Sequence, residues 1–246
     1  MLRKITALLV LTFTFVSCQF TETMTLNEDG SGRMAISMDL GEMMSMMGEM
    51  GKDSTMVKSD TIISFKEMFE EKKDSISKLS KKEQQKLKAL ENYSIRMDMD
   101  PEKNKMVVDI FSDFKDVSES NDLMKAFEEM DDIMPSMGAD DTKKDDDGDD
   151  NNIGVKYSYK RGVFKRDAYI VDIDKHKTQV DSMASIESFM SAMTYRIKYT
   201  FPRKIKSASV EDAMYSADGK TIEFERSFVE YIKNPDVLDL EVKLEK

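Results

Sequence analysis

The amino-acid sequence predicts an α+β fold: an antiparallel sheet, or sheets, of hairpins with helices packed on one face. Three observations predict it. Most apolar segments alternate apolar and polar residues, the period of two that gives a strand one buried and one wet face. These segments come in pairs joined by short turns rich in Gly, Asn and Asp. Segments with helical spacing follow the hairpins. The 246 residues allow one domain or two small ones. One cysteine excludes a disulfide framework, so packing alone must hold the core. A formal charge of −11 argues against nucleic acid, whose phosphates call for Lys and Arg, and against electrostatic adhesion to anionic lipid.

At the N-terminus Arg3 and Lys4 precede an apolar run from Ile5 to Val16, followed by Ser17 and Cys18. A cationic start, a short apolar segment and a small residue before the cut make a secretory signal, expected at residues 1–17. The run is shorter than the about 20 apolar residues of a spanning helix. Phe15-Val16-Ser17-Cys18 resembles the lipobox of bacterial lipoproteins, with Phe15 where Leu is usual. The resemblance implies that Cys18 becomes the acylated first residue of a mature chain, 18–246. Two or three acyl chains hold far better than one, since each buried methylene adds about 0.8 kcal/mol.

Phe20 to Leu26 and Arg33 to Leu40 read as a hairpin around Asn27-Glu28-Asp29-Gly30-Ser31-Gly32. Between Gly41 and Gly51, Met43, Met46, Met47 and Met50 fall on one helical face. They are the candidate ligand-binding residues. Core packing and Cu(I) coordination by thioethers are the alternatives, but the helical phase explains the spacing without a metal. Lys52 to Asp60 reads as a polar loop. Ser64-Phe65-Lys66-Glu67 and Ser80-Lys81-Lys82-Glu83 are capping boxes that open two helices. Lys81, Lys82, Lys86 and Lys88 crowd one face of the second, either as a solvated face or as a patch for anionic headgroups.

Tyr93, Ile95 and Met97 alternate, Asp100 to Asn104 turns, and Lys105 to Phe111 returns. A helix is expected from about Glu119 to Met134, with Leu123, Met124, Phe127, Met130 and Ile133 inward. Residues 138–152 are almost all Asp, Lys, Gly and Asn, and nothing there can offset the entropy of ordering. They read as a disordered acidic insertion in a single domain. An EF-hand registered on Gly148 would start at Lys143 and end at Gly154, and neither supplies the required carboxylate.

Val155 to Lys160 and Val163 to Ile173 flank the turn Arg161-Gly162. A helix around Lys177 to Met193 follows, and His176 at its start, among Asp174, Lys175 and Lys177, is expected at the surface. Tyr195 to Phe201 alternates into Pro202. Ile205 to Val210, Lys220 to Phe224 and the stretch through Leu238, Leu240, Val242 and Leu244 complete the strands, with a short helix at Ser227 to Lys233. Eight to ten strands are expected.

The lipobox, the Asn27-to-Gly32 turn between two strands, Tyr199-Thr200-Phe201-Pro202 and Asp218-Gly219-Lys220 are together similar to LppM-like bacterial lipoproteins. That resemblance implies a helix-grip-like α+β domain with an apolar cavity, and it carries no catalytic residues.

A nucleophile needs a base beside it, and neither Cys18 nor His176 has such a setting. No phosphate-cradling loop or metal-ligand cluster appears, so no enzyme, cofactor or metal is expected. The preferred reading is a non-enzymatic binding module on the bacterial cell envelope. It is held to the membrane through Cys18, on the periplasmic side or at the surface, and takes an apolar or lipid-like small molecule. The alternative is a structural lipoprotein that contacts an envelope protein. A hydrolase without recognisable motifs is a third reading, and it predicts perturbed polar groups converging in a cleft.

Overall fold

The computed structural model describes residues 19–41, 57–122 and 152–246. Twelve strands lie among them, in two mostly antiparallel sheets. The first hairpin is β1 (Gln19–Leu26) and β2 (Gly32–Asp39). Its turn closes as Asn27 N–H donates to Ser31 O at 2.7 Å, while Asp29 Oδ1 accepts from Ser31 N–H. Gly32 allows a close approach that no side chain could share, since a Cβ there would lie 2.1 Å from the Thr25 carbonyl oxygen.

Next come β3 (Ser59–Ser64), α1 (Phe65–Glu71), α2 (Lys73–Ile76) and α3 (Lys81–Leu90). The first capping box forms in half, with Glu67 N–H donating to Ser64 Oγ at 3.4 Å. The strand β3 replaces the end of the expected loop. Among the described residues it pairs on one side only, with β4, and Ile62 is exposed, so it carries no alternation to announce it. A second hairpin, β4 (Tyr93–Asp100) and β5 (Lys105–Phe114), leads to a 3-10 turn at Val117–Asp122. The rest of the expected helix to Met134 lies outside the described residues.

Beyond the acidic insertion, β6 (Ile153–Lys160) and β7 (Val163–Ile170) form a two-residue hairpin. Arg161 and Gly162 take φ of 53° and 75°, the positive pair that matches the right-handed strand twist. Asn152 is the one described residue of the insertion, and its carbonyl accepts from Val171 N–H at 2.7 Å. The expected single helix after the hairpin is instead α4 (Ile173–Ser182), a 3-10 turn and α5 (Glu187–Met190). It starts a turn early because Asp172 Oδ1 caps the N–H groups of Asp174 and Lys175.

The chain ends with β8 (Thr194–Thr200), β9 (Ile205–Ala208), β10 (Met214–Tyr215), β11 (Thr221–Ser227), α6 (Phe228–Lys233) and β12 (Leu240–Leu244). Leu238 sits in a 3-10 turn rather than in the last strand. The larger sheet runs β10-β11-β8-β1-β2-β5-β4-β3 and the smaller β6-β7-β12-β9. The pair β1 and β8 is parallel, so strands from both sides of the acidic insertion share one sheet.

The two faces of the larger sheet differ as the alternation predicts. Outward, Arg33 pairs with Asp113, Arg96 with Asp60, and Arg196 with Glu225. Such exposed pairs contribute about 0–1 kcal/mol each. Inward, Met24, Met34, Ile36, Ile95, Ile110, Ile197 and Ile222 are buried. Around β3 and β4 this face is covered by α1, whose Phe65 is buried. Around β1 and β8 the smaller sheet covers it, with the Phe164 ring against Tyr199 and Phe201.

His176 corrects the sequence reading. It is 7% exposed, and its Nε2 lies 2.7 Å from the Ile232 carbonyl, to which it donates. The flanking residues are polar, but α4 turns this one position toward α6. His176→Ala should cost about 1–3 kcal/mol in urea denaturation, because it leaves that carbonyl without its partner.

Candidate functional site

Along β1 the inward positions read Phe20, Glu22, Met24 and Leu26. A carboxylate therefore stands where the pattern calls for an apolar residue, and Glu22 is 1% exposed. On β8 the same face presents Tyr195 and Tyr199, and on the opposing sheet β6 and β7 present Tyr157 and Arg166. All four are buried. They converge on Glu22. Its Oε1 accepts from Tyr157 Oη at 2.6 Å, from Tyr199 Oη and from Arg166 Nε at 3.4 Å. Its Oε2 accepts from Tyr195 Oη at 2.6 Å and from Arg166 Nη2 at 3.2 Å. Arg166 Nη1 donates to the Leu238 carbonyl at 3.2 Å.

Five donors on one carboxylate account for its charge in a dry interior. Burial pushes the Glu22 carboxyl up, but the Arg166 guanidinium and the tyrosine hydroxyls outweigh it, so Glu22 is held below the ordinary glutamate value. Burial first, and then the Glu22 charge, push the Tyr157, Tyr195 and Tyr199 hydroxyls well above 10.0. Burial alone would lower Arg166, and Glu22 keeps it charged. The cluster has the perturbed groups of an active site but no exposed member and no spare lone pair aimed at a ligand. It fastens the two sheets together.

Among the described residues, a groove of about 660 Å³ on the outward face of the smaller sheet has room for a partner. Lys156, Ser158, Lys165, Asp167, Ser209 and Glu241 line it. Lys165 Nζ meets Glu241 at 2.7 Å, and Glu241 N–H donates to Ser209 Oγ at 2.9 Å. Asp239 lies at one side. Burial, with Asp236 and Asp167 nearby, raises its carboxyl above the ordinary aspartate value. Its Oδ1 already accepts the Ala168 N–H at 2.7 Å, which caps β7 beyond the start of β12. The groove thus offers both signs of charge and hydroxyl groups, with Lys156, Ser158, Lys165, Asp167 and Glu241 held on strands.

Cys18 immediately precedes the described residues, and Met43, Met46, Met47 and Met50 lie outside them. Among the described residues, no three His, Cys, Asp or Glu side chains converge to hold a metal, and no helix is long and apolar enough to cross a membrane. Sequence reasoning missed Glu22, yet a signal was present: an acid at an inward register of a strand, with inward tyrosines at Tyr195 and Tyr199.

No protein-family model and no curated protein matches this chain. Among solved structures, the chain is similar to the folded domain of LppM from Mycobacterium tuberculosis, determined by NMR. The TM-score is 0.40 at 8% identity, over 93% of this chain and 90% of that one.

Proposed function

We propose that this protein is a non-enzymatic lipoprotein of the bacterial cell envelope, tethered through acylated Cys18, that engages a polar partner. The partner would be a segment of an envelope protein carrying both signs of charge, lying along the groove of the smaller sheet. The observation that carries this reading is the groove itself. Lys156, Lys165, Asp167 and Glu241 on its walls offer charge pairs of both signs to a partner segment, and the stems of these side chains offer apolar contact beside them. The second reading is an apolar or lipid-like ligand, with Met43, Met46, Met47 and Met50 as its candidate residues.

Three measurements test it. The N-terminal peptide of full-length protein made in bacteria should begin at Cys18 and carry the mass of its acyl chains. An unmodified or uncut peptide overturns the tether. Crosslinking in the native envelope should capture one partner with the wild type and lose it with Lys156→Glu/Lys165→Glu, since reversing interface charges costs about 2–5 kcal/mol. Native mass spectrometry that instead finds lipid-like adducts, lost on organic extraction, would overturn the polar partner in favour of an apolar ligand.

A further inference from the structure

We infer that the corner from Tyr169 to Ile173 is a bilayer-contact tip, which dips Val171 and Ile173 into the membrane that holds the Cys18 lipid. The inference rests on the tether proposed above and concerns the end of the smaller sheet beyond the groove, with which it shares Lys156.

Four of five consecutive residues here are apolar and outward. Val171 is 61% exposed and Ile173 75%, with Tyr169 and Ile170 partly exposed beside them. The corner is firmly built. Val171 N–H donates to the Asn152 carbonyl, and Asp172 turns its carboxylate back to cap α4. The apolar side chains are therefore held in the open by fixed backbone. The one carboxylate between them is already occupied.

The place of the corner in the fold says what covers it. Along β7, Phe164 packs on Tyr199 and Phe201, and Arg166 then reaches Glu22. In the parallel ladder Tyr199 pairs with Met24 and Tyr195 with Phe20, so β7 advances toward the start of β1. At about 3.3 Å per residue, Ile170 stands about 13 Å beyond Arg166, and Gln19 about 10 Å beyond Glu22 in the same direction. A second route agrees. The Phe20 ring stacks on Phe228 of α6 at 4.6 Å, and the Ile232 carbonyl of α6 accepts from His176 of α4, one turn after Ile173. Cys18 is bonded to Gln19, so a lipid on its sulfur brings this end of the molecule to the bilayer. Just behind the tip, the Lys156 ammonium lies 4.4 Å from the Tyr169 ring centre, a pairing suited to the headgroup layer. The opposite end carries the charged turns at Glu28 and Arg161, with Arg203 bound to Glu28.

The test uses full-length lipidated protein, in which acylation blocks the Cys18 sulfur. Val171→Cys, labelled with an environment-sensitive dye, is reconstituted into vesicles of phosphatidylethanolamine and phosphatidylglycerol. Its emission should shift to the blue and be quenched by lipids brominated on the acyl chain. A label at Lys160→Cys, at the turn end of the same hairpin and far from the tip, should show neither effect. Ile173→Asp, at a fully outward position, should abolish most of the quenching at 171. A water-like signal at 171, on protein whose N-terminal peptide carries the acyl mass, overturns the tip and leaves the tether standing. A blue shift without bromolipid quenching, growing with protein concentration, overturns it in favour of a second copy. A peptide without acyl mass overturns the tether and the tip with it.

Discussion

Glu22→Gln is expected to destabilise the protein by about 3–5 kcal/mol, because it strands the Arg166 guanidinium without its counter-charge in a dry interior. Equilibrium urea denaturation at neutral pH measures this directly. The partner variant Arg166→Met should cost a similar amount, since it leaves the buried carboxylate to three tyrosine hydroxyls. The double variant should cost less than the sum of the two, with a coupling of about 2 kcal/mol. It should not return to wild-type stability, because Tyr157, Tyr195 and Tyr199 would then face a weaker acceptor. Additive costs would show that the two groups stabilise the interface independently. The acid limb has a fixed sign. The folded protein holds Glu22 below 4.5, so its contribution is full above that pH and is lost as pH falls through the folded value. Glu22→Gln should flatten this limb.

The second expected result is a steep alkaline collapse. Tyr157, Tyr195 and Tyr199 are raised well above 10.0 in the folded protein. A group raised on folding stabilises fully below its unfolded value and loses that contribution as pH rises above it. Above about pH 10 the unfolded chain sheds the three protons of this cluster that the native state keeps, a slope of about 4 kcal/mol per pH unit, and Tyr231, raised by burial beside them, adds to it. The Lys165 ammonium, held charged by Glu241, adds in the same direction. Urea midpoints taken through this range, with tyrosinate absorbance as a parallel signal, should show the three hydroxyls ionising only as the protein unfolds. Tyr199→Phe should remove about one third of the tyrosine slope and, through its lost bond to a charged acceptor, about 1.5–3 kcal/mol at neutral pH. Tyrosinate appearing in the native protein near pH 10 would mean that water reaches the cluster.

These two results concern a feature that lies between sheets, and that location explains how much could be read from the chain. The hairpins at β1–β2, β4–β5 and β6–β7 were legible because alternation and turn residues are local. Gly30, Asn104 and the Arg161-Gly162 pair take the positive φ that such turns require. The helix at α6 was legible for the same reason, being short, apolar and stopped by Asn234-Pro235. The strands β3 and β10 were not, since the first lies at the sheet edge with Ile62 outward and the second is two residues long.

The sequence by itself determined which residues face inward in the strands that alternate, because side chains on a strand point to opposite faces in turn. It placed Tyr195 and Tyr199 on one inward face with Ile197. Only the tertiary structure decided what lies across from them. The parallel pairing of β1 with β8 joins residues more than 170 positions apart, and the smaller sheet then closes over that seam. Glu22 becomes a clamp, His176 becomes buried, and Val171 and Ile173 become a tip by this packing alone. A single strand's pattern records that a face is covered but holds no information about the covering surface, which is supplied by distant segments whose pairing no local spacing encodes.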